Sequence, residues 1–414
     1  MARIYANYRV NLDDLSFYET FFDRTSLAFL NDTNYVSPLG YTYQDVLQVG
    51  FTDGTYDYRG LFCGTDIQLG AGPSIIGGTL NAYVELVESG SAWEPVWGME
   101  SFAVSAVTVY QAIVSESTVD DYAVIGEIMA GADIVNLSPD ADIASGYAGN
   151  DVMRGKGGND TLSAGMGNDT LIGGAGADRL VGNEGADTFY VTTGDTTVEA
   201  LAQGWDTVVS AESWTLAANV ERLLLAAGTQ NLSGTGNAQP NEIVGNGGRN
   251  LLAGMKANDT LLGGGGNDTL QGGEGFDVLG GGAGDDVLVG GVGRDTLSGG
   301  AGADAFVFAS ALIVSASNDL LTDFTPGEDL LRLDDDVFGD FDATVSTTLG
   351  AGQFASGAGL TAATDADQRI LYDTTTGALY YDADGDGSIA AQRFGTLGVT
   401  AHPELTAGDF VIVG

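Results

Sequence analysis

From Gly146 to Tyr190, and again from Gly245 to Val307, an apolar side chain returns every ninth residue between polar and glycine positions. The recurring residues are Met153, Leu162, Leu171, Leu180 and Phe189, then Leu252, Leu261, Leu270, Leu279, Leu288, Leu297 and Phe306. One inward side chain in nine matches no helical face. An x-apolar-x triplet suffices for a very short strand whose middle side chain points to a core, which leaves the other six residues of each unit to form a turn.

Both runs are written on the template Gly-Gly-x-Gly-x-Asp-x-apolar-x, as in GKGGNDTLS and GGGGNDTLQ. Glycine suits a turn whose backbone angles exclude side chains and whose carbonyls must crowd toward one point. The sixth position brings a carboxylate to that point: Asp151, Asp160, Asp169, Asp178 and Asp187, then Asn250, Asp259, Asp268, Asp277, Asp286, Asp295 and Asp304. A degenerate register begins near Ile128, with Asp133 and Asp142 in the sixth position. Carbonyls and carboxylates converging from stacked turns make an all-oxygen cage of the kind calcium prefers, with about 6 to 8 ligands. A flexible Gly/Asp linker is the alternative, but it gives no reason to keep an apolar residue at every ninth position.

These units resemble the calcium-binding nonapeptides of the RTX (repeats-in-toxin) family. The resemblance implies a parallel β-roll in which two units make one turn and each Ca2+ lies between the loops of units i and i+2. The sixth-position residues named above, Asn250 included, are then the metal ligands. The expected fold class is all-β: a β-solenoid of calcium-binding repeats with a β-rich N-terminal domain and a β-rich C-terminal cap.

Charge supports a cation as partner. The chain carries 14 basic and 57 acidic residues, a formal net charge of −43, which argues against nucleic acid or an anionic membrane surface. Like charges stacked at a strand spacing of about 4.8 Å repel, so folding and calcium binding are expected to be one event. Extracellular calcium modules work at about 10⁻⁴ to 10⁻³ M, which predicts a chain that is loose in the cytosol and folds outside. The lone Cys63 forms no internal disulfide, and there is no 18-residue apolar run to span a membrane. MARIYANYRVNLDDL has no apolar h-region. The RTX resemblance therefore implies type I export machinery and an uncleaved C-terminal signal, for which Asp409-Phe-Val-Ile-Val-Gly414 is the candidate; a closing β-strand is the alternative reading of that tail.

The expected organisation is an interaction domain over 1–127, a first roll over 128–190, a calcium-free solenoid spacer over 191–244, a second roll over 245–307, and a cap with the signal region over 308–414. A linker is the alternative for the spacer. In the first domain, Asn11, Leu12, Leu15, Phe22 and Phe29 suggest a short capped helix and Val119–Met129 a second, while Asp53-Gly54 between alternating residues signals a hairpin. In the cap, which resembles that of serralysin-type proteins, Asp382, Asp384 and Asp386 before Gly387 imitate half of an EF-hand loop. Arg393 stands where that loop needs its bidentate Glu, so a plain Asp/Gly turn is the alternative.

The resemblance to serralysins ends at the cap. Their zinc site needs two histidines, and this chain has only His402. Glu85, Glu88, Glu94 and Glu100 are the candidates for a glycosidase-like carboxylate pair, and Trp93, Trp97, Tyr56 and Tyr58 for stacking on sugars; an acidic surface and core or interface aromatics are the alternatives. The expectation is a secreted, non-enzymatic, calcium-dependent structural protein of the cell surface or matrix that forms a homo-oligomer or lattice through residues 1–127. An adhesin reading a cell-surface glycan, or an exported hydrolase, are the competing classes.

Overall fold

A computed structural model of the chain describes residues 130–137, 139–309, 318–339, 341, 347–398 and 402–414, together with the backbone of strands between residues 3 and 105. The chain divides into two compact units, 1–206 and 207–414.

In the first unit, Arg24–Leu30, Asp45–Thr52, Asp57–Leu69, Ile75–Ser89, Ala92–Ser105 and Arg3–Ala6 pair antiparallel in that order. The hairpin expected at Asp53-Gly54 is present, with Thr52 opposite Asp57. Phe29, assigned above to a helical face, lies instead on the strand Arg24–Leu30. Thr25, Leu27 and Phe29 alternate with Arg24, Ser26 and Ala28 at the period of a strand, and the ladder with Asp45–Thr52 takes up the backbone hydrogen bonds. Residues 11–23, the helix expected over Val119–Met129, and the side chains of Glu85, Glu88, Glu94, Glu100, Trp93, Trp97, Tyr56 and Tyr58 lie outside the described residues. Arg3–Ala6 also pairs parallel with Ile134–Asn136, so the antiparallel sheet runs into the first strand of the roll.

The roll that follows is a pair of parallel sheets. Ile134–Asn136, Val152–Gly157, Thr170–Ala175 and Thr188–Val191 form one. Ile143–Ser145, Thr161–Met166, Arg179–Glu184 and Thr196–Val198 form the other. Met153 faces Leu171 and Leu171 faces Phe189, a register of two nonads per turn. Nine residues thus carry the chain from one sheet to the other, and the odd and even repeats build opposite walls.

The second unit repeats this plan. Thr207–Ser210, Arg222–Leu225, Glu242–Val244, Thr260–Gly265, Val278–Ala283 and Thr296–Ala301 stack parallel in one wall. Trp214–Thr215, Ser233–Thr235, Leu251–Lys256, Thr269–Gly275, Val287–Gly293 and Ala305–Phe308 stack in the other. Both walls continue past the last nonad: Asp319–Leu321 and then Gln392–Leu397 extend the first, and Leu330–Asp334 and then Phe410–Val413 extend the second. The core between the walls ends on an aromatic cluster in which Phe394 meets Phe308 at 5.0 Å and Phe338 at 5.2 Å, both edge to face. Such a plug covers the apolar end that an open solenoid would expose.

Every eighth-position side chain is 0 or 1% exposed. Leu270 sits between Leu252 and Leu288, and Leu279 between Leu261 and Leu297, one turn away on either side; full burial of such a side chain contributes about 1.5–3 kcal/mol. The turns depend on glycine just as closely. Gly266 has φ +98°, and a Cβ there would stand 2.8 Å from the backbone of Gly248 in the preceding turn.

Candidate metal centre

The sixth-position aspartates form a ladder along each wall. The backbone N–H of Asp151 donates to Oδ1 of Asp169 at 2.7 Å, and Asp169 donates to Asp187 at 2.8 Å. Asp133 and Asp142 begin the ladder by donating to Asp151 and Asp160. In the second unit, Asp259 donates to Asp277, Asp268 to Asp286, Asp277 to Asp295 and Asp286 to Asp304, at 2.7 to 2.9 Å. One carboxylate oxygen of each residue is therefore committed to the neighbouring turn.

The other oxygen is not. Oδ2 of Asp151, Asp160, Asp169, Asp178 and Asp187, and of Asp259, Asp268, Asp277, Asp286, Asp295 and Asp304, is buried without a hydrogen-bond partner. An ionised oxygen so placed costs several kcal/mol unless a cation meets it. The surrounding backbone supplies the rest of a cage. A Cβ on Gly146 would stand 2.5 Å from both Asp151 Oδ2 and the Ala164 carbonyl oxygen, and one on Gly281 would stand 2.6 Å from the Gly299 carbonyl while meeting Asp286 Oδ2. At each such glycine, a carboxylate of its own unit and a carbonyl of the unit two further on converge on one small, all-oxygen space. This donor set fits calcium, and with Ca2+ bound the ion supplies the charge that these carboxylates lack.

Electrostatics agree. Burial pushes Asp151 up to about 7, opposed by the Asp133 amide and reinforced by the charges of Asp169 and Asp133. Burial also raises Asp259 to about 7 and Asp160, Asp268, Asp286 and Asp295 to about 6, each opposed by the amide that its Oδ1 accepts. The cages hold carboxylates against the preference of their surroundings.

Asn250 behaves differently from the aspartates. Its N–H donates to Asp268 Oδ1 at 2.7 Å, but its own Oδ1 accepts from Asn246 N–H and its Nδ2 donates to Asn246 Oδ1. Asn241 repeats this: Oδ1 accepts from Asn237 N–H, and Nδ2 donates to the Val220 carbonyl at 3.0 Å. Asn237 Nδ2 reaches the carbonyls of Ala217 and Val220. In this stretch neutral side-chain amides donate to the stacked carbonyls and to one another.

In the cap, Asp384 accepts from the Ser388 and Ile389 amides, Asp382 Oδ2 accepts from Ala363 N–H at 3.2 Å, and Asp386 is exposed. These three carboxylates do not form a close acidic cluster. His402 Nδ1 lies 3.0 Å from the Leu397 carbonyl oxygen.

Several ladder members escaped the nonad pattern. Asp178 N–H donates to Asp195 and Asp187 N–H to Asp206, over 17 and 19 residues. Asp295 donates to Asp319 and Asp304 to Asp329, over 24 and 25. A signal for them exists in the sequence, since Asp206, Asp319 and Asp329 each precede a buried Val208, Leu321 or Leu331 by two positions, as in a nonad. A second, outer ladder runs through the fifth position, where Asn150 Oδ1 accepts from Asn168 N–H and Asn258 Oδ1 from Phe276 N–H, both at 2.9 Å.

No curated protein matches the chain. Among solved structures, the AlgE6R3 subunit from the Azotobacter vinelandii mannuronan C5-epimerase is similar over 38% of this chain and 79% of that one, at 28% identity with a TM-score of 0.26. The family model of the RTX calcium-binding nonapeptide repeat matches four times, at residues 129–162, 163–198, 244–279 and 280–309. Those matches fall on the stretches where buried aspartates recur at the turn period, and over these residues the chain carries RTX-type calcium-binding nonapeptide repeats.

Proposed function

We propose that the chain is a secreted, calcium-ordered structural protein of the cell surface or extracellular matrix, non-catalytic, whose rolls fold when calcium enters the cages. The observation that carries this reading is the row of buried carboxylate oxygens without partners, which makes the packed walls unfavourable until cations are present. In this reading Asp133, Asp142 and the aspartates from Asp151 to Asp187 and from Asp259 to Asp304 hold the ions. Asn250 stands at a boundary where amides replace them. The cap loop is an Asp/Gly turn in which Asp384 accepts from the Ser388 and Ile389 amides, while Oδ1 of Asp382 is buried without a partner.

The loose, strongly acidic chain would pass the type I export machinery and fold at extracellular calcium concentrations. Among the described residues, no helix is long and apolar enough to cross a membrane. Residues 1–127 would supply the contacts that join copies into a homo-oligomer or lattice, with a cell-surface glycan as the competing partner.

Electron microscopy with light scattering, in chelator and then in millimolar calcium, tests this. Sheets or filaments that appear only with calcium support the assembly reading. A compact calcium-loaded monomer overturns it and directs residues 1–127 to glycan-binding and hydrolase assays.

A further inference from the structure

At the end of the first run the cage changes composition. At Gly146, Gly245 and Gly281 the sixth-position side chain of the same unit is met by the carbonyl of the residue 18 further on. At Gly182, as at Gly173, Gly290 and Gly299, no carbonyl is among the nearest atoms, but only Gly182 meets a second carboxylate there. The space above its Cα is flanked by Asp187 Oδ2 and by Oε1 of Glu199, both so close that a Cβ would collide with them. Ligand oxygens of Asp187, Glu199 and Asp206 lie within 4.8 Å of one another, and all three residues are buried. Asp187 is 1% exposed, and its Oδ2, which faces this space, has no hydrogen-bond partner. Asp206 Oδ1 accepts from the Asp187 amide at 2.9 Å, which holds the third carboxylate in the ladder position of a following nonad.

We propose that Asp187, Glu199 and Asp206 form a terminal calcium site in which the Glu199 carboxylate stands where Gly146, Gly245 and Gly281 meet a backbone carbonyl. The proposal rests on the calcium-binding reading above and goes beyond it, because Glu199 and Asp206 belong to no nonad. The chemistry follows from the substitution. Where the chain leaves the repeat after Val198, the atom that meets this space from the following turn is Glu199 Oε1 instead of a backbone carbonyl. A glutamate side chain is long enough to bring an oxygen back. It also adds a full negative charge, so this site holds three carboxylates, whereas the inner cages pair one unpartnered carboxylate oxygen with neutral carbonyls. Hard, all-oxygen donors at high charge density favour a divalent cation of calcium's type over zinc, and they favour it more strongly than the inner cages do. The site would therefore fill first as calcium rises and pin the last turn of the first run.

The test uses the full chain and Glu199→Gln, which keeps the shape and removes the charge. Bound calcium is counted by atomic absorption after equilibration at a series of free calcium concentrations, with circular dichroism followed in parallel. The expected result is one ion fewer per chain and loss of the phase that fills at lowest calcium, with the folding midpoint of the first run raised about tenfold. An unchanged ion count and titration would overturn the proposal and make Glu199 a protonated carboxyl hydrogen-bonded to Asp187. Failure of the wild-type chain to bind calcium at all would instead overturn the underlying reading. If Glu199→Gln does not fold at saturating calcium, anomalous scattering from wild-type crystals grown in calcium decides: a peak over Gly182 supports the site, and occupied inner cages with none there refute it.

Discussion

The backbone N–H of Asp268 donates to Oδ1 of Asp286, one full turn ahead, at 2.7 Å, while Oδ2 of Asp286 is buried without a partner. The two oxygens of one carboxylate thus do different things. One ties two turns together through the backbone, and the other faces a cage that needs a cation. Stacking and metal binding share the same side chain, which couples them.

That coupling predicts unequal effects along the ladder. Asp268→Ala or Asp277→Ala removes a carboxylate with turns on both sides and should raise the calcium midpoint of folding by about tenfold. Asp133→Ala acts at the first rung and should raise it less. Calcium titrations followed by far-ultraviolet circular dichroism compare them, and equal midpoints would count against stacked, cooperative cages.

Packing between the walls should be felt separately from the metal. Leu270 is 0% exposed, between Leu252 and Leu288 of the adjacent turns. Leu270→Ala should cost about 2–5 kcal/mol at saturating calcium, and Leu270→Met less than about 1.5 kcal/mol. Denaturant unfolding in calcium measures both.

Backbone conformation gives a third test. Gly266→Ala forces a side chain onto φ +98° and against the Gly248 backbone, so it should destabilise the second run by about 1–2 kcal/mol or more and weaken calcium binding there. Gly352→Ala, where a Cβ meets nothing within 4 Å, should leave both unchanged. Isothermal titration of the two variants separates steric strain from a general intolerance of the chain to alanine.

The apo chain should respond to acid in an unusual direction. Burial raises Asp151 and Asp259 from an ordinary 3.8 to about 7 and Asp160 and Asp268 to about 6. A raised folded-state value means that the folded roll binds protons more tightly than the unfolded chain does. Its stability is greatest below about pH 4 and is lost as pH rises through 6 to 7. In chelator, β-structure should therefore increase on lowering the pH from 8 to 5, whereas in calcium the same change should weaken ion binding because protons compete. Circular dichroism against pH in the two conditions checks both signs, and a chelated chain that loses structure on acidification would contradict the burial of these carboxylates.

Much of the roll was legible because its cause is local. An eighth-position leucine such as Leu171 and a sixth-position Asp169 recur at a fixed interval, so their burial and stacking follow from counting. Phe29 was misassigned because its spacing to Phe22 and Leu15 matched a helix, while the alternation of Leu27 and Phe29 at period two, which the strand obeys, spans only a few residues. Asn250 holds the ladder position, but its side-chain amide pairs with Asn246, a partner that counting positions does not reveal. The terminal acidic cluster was hidden for a different reason. Glu199 is not in the nonad register, and only the path of the chain after Val198 brings it over Gly182.

By itself, then, the sequence determined the period, the strand and turn within each unit, the all-β class and the oxygen-rich chemistry that calls for calcium. These follow from the residues of a single nonad and its repetition. The tertiary structure decided which carboxylates outside the repeat join the ladder, the Asp-x-apolar spacing of Asp206, Asp319 and Asp329 being too short a signal to count by. Asp195, Asp206, Asp319 and Asp329 meet their partners over irregular lengths of chain because a solenoid fixes the height of a rung through hydrogen bonds between turns and not through the number of residues that connect two rungs.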